Sequence, residues 1–263
     1  MNDICNLCHS TNIEELLFIN APSLCSDLAV CDYDLVKIVC KSCNLVFNRN
    51  KMSENNKDHY PENYHLSASS ISEEPIFNVN GEKKKRSLAI FEMIKSKISN
   101  YTPLNSSSEI SLLEFGSGDG RLLKRFFDLG ISAKGIELHR QSRETCLSKG
   151  LNVQAKIENC DIAKYDWMIS FTVLEHLNDP LEYYDTARKV LKKDGFLLTI
   201  VPSSFSKCSY DLFFCDHEYH FNSSHLIRYG EMAGFSTLSF EAGSGWAAGV
   251  NIVIQKYSEG KAY

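Results

Sequence analysis

Along the last two thirds of the chain, short apolar runs of strand length alternate with segments whose apolar residues recur at three and four. Ser111 to Phe115 is a strand-like run, and Leu122, Leu123, Phe126 and Phe127 then recur at helical spacing as far as Gly130. Ile131 to Glu137 predicts a second strand, and Arg140 to Lys149, closed by Gly150, a second helix. Further strands are expected at Val153 to Asn159, Asp166 to Phe171, Phe196 to Pro202, Ser236 to Glu241 and Val250 to Gln255. Pro180 opens one helix between them and a second begins near Ser223. Ahead of this region, Leu88, Phe91, Ile94 and Ile98 mark a helix with one apolar stripe. Strands alternating with helices imply an α/β fold on a parallel sheet, with ligands beyond the C-terminal ends of its strands.

The first part of the chain follows another pattern. Val36, Ile38 and Val39, then Leu45, Val46 and Phe47, read as two short strands. Residues 51–80 show no sustained period and predict an irregular connector, and Lys83 to Arg86 reads as a solvated charge run. Three segments result: a small unit at 1–50, a connector or lid at 51–85, and a main domain at 86–263.

Composition narrows the function. A net charge of −5 over 263 residues disfavours a dedicated nucleic-acid binder. No apolar stretch approaches the roughly 18–20 residues that span a bilayer, and the opening residues lack the form of a signal peptide, so a cytoplasmic protein without membrane insertion is expected.

Ten cysteines in a reducing compartment argue for metal ligands or packing rather than disulfides. Cys5 and Cys8 form one C-x2-C pair, Cys40 and Cys43 a second, with 31 residues between the pairs. Two such pairs complete the four thiolates of a closed structural Zn2+ site on a zinc-ribbon-like unit. Cys25, Cys31, Cys146, Cys160, Cys208 and Cys215 lack that spacing and are expected to pack as small apolar residues. Residues 1–50 carry three basic against six acidic side chains, which suits a scaffold or substrate-side lid better than a nucleic-acid ribbon.

Gly116, Gly118 and Gly120 follow the first strand, with Glu114 before them and Glu137 ending the next strand. Glycines admit a ligand close to backbone, and a carboxylate about 20 residues on accepts hydrogen bonds from ribose hydroxyls. The dinucleotide fingerprint would place its third glycine at Arg121, which argues against an oxidoreductase. The E-x-G-x-G-x-G spacing resembles instead the first motif of class I S-adenosylmethionine-dependent methyltransferases, and FTVLEHLNDP resembles their post-strand motif. The resemblance covers about residues 86–256. It implies a Rossmann-like seven-stranded sheet and S-adenosyl-L-methionine as cofactor, held by Glu114, Gly116, Ser117, Gly118, Gly120, Glu137, Leu138, Ile157, Glu158, Phe171 and Glu175.

The four-cysteine unit, the Tyr-rich connector, the LEHL segment and the His-rich stretch CDHEYHFNSSHL together resemble bacterial methyltransferases of nucleotide-linked sugars. That likeness implies methyl transfer to an activated sugar or a surface-polysaccharide precursor, such as one for capsule or O-antigen. Asp216 and His217 match the acid–His pair of that family, with His217 or His176 as general base of an O-methylation. Tyr60, Tyr64 and His220 are the candidate substrate contacts. His220 and His225 have an alternative as loop-bonding residues. C-methylation of a keto-sugar and methylation of a phosphorus-linked precursor stay open. The non-enzyme alternative is a zinc-ribbon interaction protein with an inactive Rossmann domain.

Overall fold

The computed structural model describes residues 3–51, 74–104, 109–158, 161–203, 210–244 and 247–258. In chain order the N-terminal part forms β1 (Ile13–Ile19), β2 (Ser23–Leu24), β3 (Val30–Cys31), β4 (Leu35–Cys40) and β5 (Val46–Asn48). A hairpin follows, β6 (Ile76–Val79) and β7 (Glu82–Lys85), and leads directly into α1 (Arg86–Ser99). The expected connector therefore ends in regular structure. Asn80 and Gly81 both take positive φ, 53° and 90°, the backbone that a two-residue hairpin turn requires. The run Lys83 to Arg86 is correspondingly strand and helix start, with Lys84 paired to Glu82 and Glu92.

The main domain alternates β8 (Ser111–Phe115), α2 (Arg121–Asp128), β9 (Ser132–Ile136), α3 (Arg140–Ser148), β10 (Val153–Gln154), β11 (Tyr165–Phe171), α4 (Pro180–Val190) and β12 (Leu191–Pro202). It continues with β13 (Tyr219–His220), α5 (Ser223–Met232), β14 (Phe235–Ala242) and β15 (Val250–Tyr257). Seven strands make one sheet in the order β10-β9-β8-β11-β12-β15-β14. The first five run parallel, and β15 is antiparallel to both of its neighbours.

Alternation along β8, β11 and β12 sends successive side chains to opposite faces. Leu112, Trp167 and Leu198 pack with Ile90, Ile94 and Phe126 on one side. Leu113, Met168 and Leu197 pack with Tyr183, Tyr184 and Ala187 on the other. Helix starts follow their sequence signals: Asp179 accepts a hydrogen bond from Leu181 N at 2.9 Å ahead of Pro180, and Asn222 caps α5 in a capping box with His225.

The third main-domain strand, expected to reach Asn159, is only two residues long, and Asn159 itself lies outside the described residues. β12 starts five residues before the expected Phe196, because Leu191 already pairs with Tyr165. Among the described residues no helix is long and apolar enough to cross a membrane.

A second sheet has the order β1-β4-β5-β13. Its last strand belongs to the main domain: Tyr219 pairs with Phe47 and His220 with Val46. The apolar core is shared as well, since Cys5, Leu7, Ile38 and Phe47 pack in one cluster with Leu113, Tyr184 and Tyr229. The segment boundary near residue 50 is thus no break in packing.

Candidate active site and thiol clusters

The glycine turn is built by geometry that only glycine adopts cheaply. Gly116, Gly118 and Gly120 take φ of 78°, 52° and 79°. Gly116 N and Ser117 N donate to Ile136 O at 2.8 and 3.0 Å, fixing the turn to the end of β9. The Glu137 carboxylate accepts from Gly118 N at 2.7 Å and from His139 N at 2.8 Å, so the acid beyond β9 is locked beside the turn.

This turn borders a cavity of about 830 Å³ at the C-terminal ends of β8, β9 and β11. Glu114, Gly116, Ser117, Gly118, Glu137, Leu138, Ile157, Phe171 and Glu175 all line it, so most of the expected cofactor residues meet at one place. Glu158 does not line it; its backbone N–H instead donates to Asp161 at 3.1 Å. Gly120 sits behind the lining, where a Cβ would meet Leu151 Cδ1 at 2.6 Å and Cys146 Sγ at 2.8 Å.

Several buried polar atoms in this cavity have no hydrogen-bond partner among the described residues: Glu114 Oε2, Ser117 Oγ and both carboxylate oxygens of Glu175. Burial raises the Glu114 carboxyl well above its usual range, and the nearby acids Glu137 and Asp119 push the same way. Burial also raises Glu175, with Asp211 and Asp216 adding to it and a backbone hydrogen bond opposing it. Unpartnered polar atoms in a cleft cost stability unless a ligand meets them. Glu114, Ser117 and Glu137 fit the polar groups of S-adenosylmethionine, whose amine and hydroxyls seek such partners.

Three histidines line the cavity: His139 beside the glycine turn, and His176 and His217 together. His176 and His217 meet edge to face with ring centroids 4.7 Å apart. His176 Nδ1 donates to Asp216 O at 2.9 Å, which leaves the lone pair of the neutral ring on Nε2. His217 is 5% exposed, and its Nδ1 has no hydrogen-bond partner among the described residues. Burial holds His217 well below the usual histidine range, and His176, His220 and Lys37 lower it further.

Asp216 directs its carboxylate to the N-terminal part of the chain, accepting from Ser26 N at 2.8 Å and Ser26 Oγ at 2.6 Å. Ser26 itself lines the cavity, so the cysteine-bearing unit supplies part of its wall. His220 is buried behind His217, with ring centroids 6.2 Å apart, and its Nδ1 bonds Asp211 at 3.0 Å. It does not line the cavity. His225 Nε2 donates to Cys43 O at 2.8 Å, a loop-bonding role. Tyr60 and Tyr64 lie outside the described residues, as do Cys160 and Cys208.

Cys5, Cys8, Cys40 and Cys43 bring their sulfurs within 4.8 Å of one another. The closest pairs are Cys5–Cys43 at 3.6 Å and Cys8–Cys40 at 3.4 Å. The residue after each pair, His9 or Asn44, takes positive φ, which folds the chain into a knuckle. Four thiols so placed could hold one tetrahedral ion. Sequence spacing missed a second group, Cys25, Cys31 and Cys215, whose sulfurs also converge. No local signal could have found it, because Cys215 comes from the far end of the fold.

A profile of the methyltransferase domain family matches residues 86–239. The chain belongs to that family. Together with the cofactor site, this makes it an S-adenosylmethionine-dependent methyltransferase. None of the curated proteins matches the chain in sequence. Solved structures share the fold at low identity. A methyltransferase from Galdieria sulphuraria has 14% identity and a TM-score of 0.54, over 68% of this chain and 89% of that one. An S-adenosylmethionine-dependent methyltransferase from Listeria monocytogenes has 13% identity and a TM-score of 0.52, over 65% and 100%. The Burkholderia thailandensis 1,6-didemethyltoxoflavin-N1-methyltransferase, bound to its substrate and S-adenosylhomocysteine, has 13% identity and a TM-score of 0.51, over 66% and 79%.

Proposed function

We propose that this methyltransferase acts on a small molecule, an activated sugar or surface-polysaccharide precursor, and transfers the methyl group to a hydroxyl with His217 as general base. The observation that carries the reading is His217, which lines the cavity that also holds Glu114, Ser117 and Glu137 and whose buried Nδ1 has no hydrogen-bond partner among the described residues. S-adenosylmethionine, when bound, supplies an electrophilic methyl group on a sulfonium. An acceptor hydroxyl must lose its proton as its oxygen forms the new bond to carbon, and a neutral imidazole within hydrogen-bond reach takes that proton. His176, tied to the Asp216 carbonyl, packs on the His217 ring and limits its orientation. Much of the acceleration comes from holding both reactants at near-attack distance in a closed site.

In this reading the N-terminal unit is the acceptor-side wall, entering through Ser26, and a structural Zn2+ at Cys5, Cys8, Cys40 and Cys43 holds it in shape. The sugar class rests on the resemblance of the four-cysteine unit and the His-rich segment to sugar methyltransferases.

The test is mass-spectrometric detection of S-adenosylhomocysteine and methylated product with a panel of nucleotide-linked sugars. His217→Ala is expected to lower turnover at least tenfold while S-adenosylmethionine affinity stays near the wild-type value. Turnover like wild type with the accepted sugar removes His217 from the mechanism. A product methylated on carbon or phosphorus-linked oxygen would replace the sugar-hydroxyl assignment.

A further inference from the structure

Cys25 and Cys31, on the β2–β3 hairpin, meet Cys215 from the segment that carries His217. Cys25 Sγ lies 3.0 Å from Cys31 Sγ and 3.4 Å from Cys215 Sγ, and none of the three is in a disulfide. Ligand sulfurs about 2.3 Å from one tetrahedral ion stand roughly 3.8 Å apart, so either thiol group needs only a small expansion to take one. In each cluster all the sulfurs lie within 4.8 Å of one another, and the closest sulfurs of the four-cysteine cluster are 3.4 and 3.6 Å apart. Cys25 and Cys215 are fully buried, and Cys31 is partly buried.

The backbone around the cluster is fixed from both sides. Cys215 N donates to Leu24 O at 2.9 Å, Leu24 bridges Phe214, and Ser26 bonds Asp216. Lys37, fully buried, reaches in and donates its Nζ to Phe214 O at 3.0 Å and His217 O at 2.7 Å, the carbonyls that flank the Cys215–Asp216 pair. The surroundings are rich in acid, since Asp27, Asp211, Asp216 and Glu218 are each no more than 9% exposed. Sulfur donors select a thiophilic ion, and three thiolates cannot ionise in such a pocket without a cation among them. A divalent ion leaves one net negative charge near Lys37, whereas a monovalent ion leaves two.

We propose that Cys25, Cys31 and Cys215 bind a second Zn2+ ion, separate from the four-cysteine site, which clamps the N-terminal hairpin to the segment bearing His217. The ion has three protein sulfurs, and the fourth position is taken by solvent or a neighbouring oxygen. Its role is to hold the acceptor-side wall against the catalytic segment.

Cobalt(II) titration of the full-length reduced protein tests this, read through the near-ultraviolet thiolate-to-cobalt absorption, with zinc per chain measured in parallel by inductively coupled plasma mass spectrometry. Wild type is expected to saturate at two equivalents and Cys31→Ser at one. A single wild-type equivalent that Cys31→Ser abolishes also supports this site and leaves the four-cysteine set empty. Equal metal content in wild type and Cys31→Ser overturns the proposal. The double variant Cys25→Ala/Cys215→Ala repeats the comparison with apolar filling of the same pocket, so instability caused by one buried hydroxyl does not decide the outcome.

Discussion

The cofactor end depends on single residues whose roles separate cleanly. A Cβ on Gly116 would stand 2.4 Å from Val173 Cγ2, at a φ of 78° that L-residues avoid. Gly116→Ala should therefore destabilise the fold by about 1–3 kcal/mol and weaken S-adenosylmethionine binding, as urea unfolding and calorimetry can measure. Glu137 is held at the turn, because its carboxylate accepts the Gly118 and His139 amides at 2.7 and 2.8 Å, and it is the proposed ribose partner. Replacing it by Ala removes two charge-assisted hydrogen bonds and the proposed ribose partner, so cofactor affinity should fall at least tenfold. Unchanged affinity by calorimetry would assign Glu137 to the turn alone. Both residues were legible in the sequence, because glycine spacing and the acid after the second strand are local patterns. His220 and Glu158 were less so. Side-chain direction follows from packing rather than from local pattern: His220 turns to Asp211, and Glu158 falls one residue past the lining residue Ile157.

At the scale of elements, the loop after β10 is held by one carboxylate. Asp161 is fully buried, and burial alone would raise its pKa; hydrogen bonds from Lys134, Glu158 N, Tyr165 and Gln154 outweigh that and lower it to about 2. Asp161 is thereby a positioning residue for Ile157 at the cavity wall. A carboxyl whose folded pKa lies below its unfolded value stabilises the protein above the unfolded pKa and loses that contribution as pH falls through the folded one. Relative to the ordinary 3.8, a folded value of about 2 corresponds to about 2 kcal/mol, present at neutral pH and lost between about pH 4 and pH 2. Urea midpoints measured across that range should fall in wild type, and in Asp161→Asn the fall should be shallower from a lower neutral-pH value. Parallel curves for the two proteins would show that the hydrogen bonds do not favour the ionised form. Element type was legible wherever period was strong, as in β8, α1 and β11. The hairpin β6–β7 was hidden by its charge: Glu82 and Lys83 to Lys85 carry no apolar alternation, and only Asn80-Gly81 announced the turn.

On the scale of the whole molecule, the cysteine unit and the cofactor domain are joined too closely to unfold apart. β5 pairs with β13, so four strands from both ends of the chain form one sheet. Asn6, inside the first cysteine knuckle, donates to Tyr219 Oη at 2.6 Å and accepts from Tyr229 Oη at 2.6 Å, while His225 bonds Cys43 O across the same boundary. Sequence spacing revealed the four thiols but not these bonds, because Tyr219 and Tyr229 lie more than 200 residues from Asn6 and no periodicity relates them. A metal bound by the unit would thus stabilise the full chain by mass action on a shared native state. Urea unfolding followed by far-ultraviolet circular dichroism and by zinc release to a metallochromic dye should give coincident midpoints in wild type. Cys8→Ser, which removes a ligand without touching the cofactor cavity, should lower the circular-dichroism midpoint of the whole chain in one transition. Zinc release from Cys31→Ser well before its loss of secondary structure, or a Cys8→Ser midpoint equal to wild type, would make the four-cysteine unit an independent appendage.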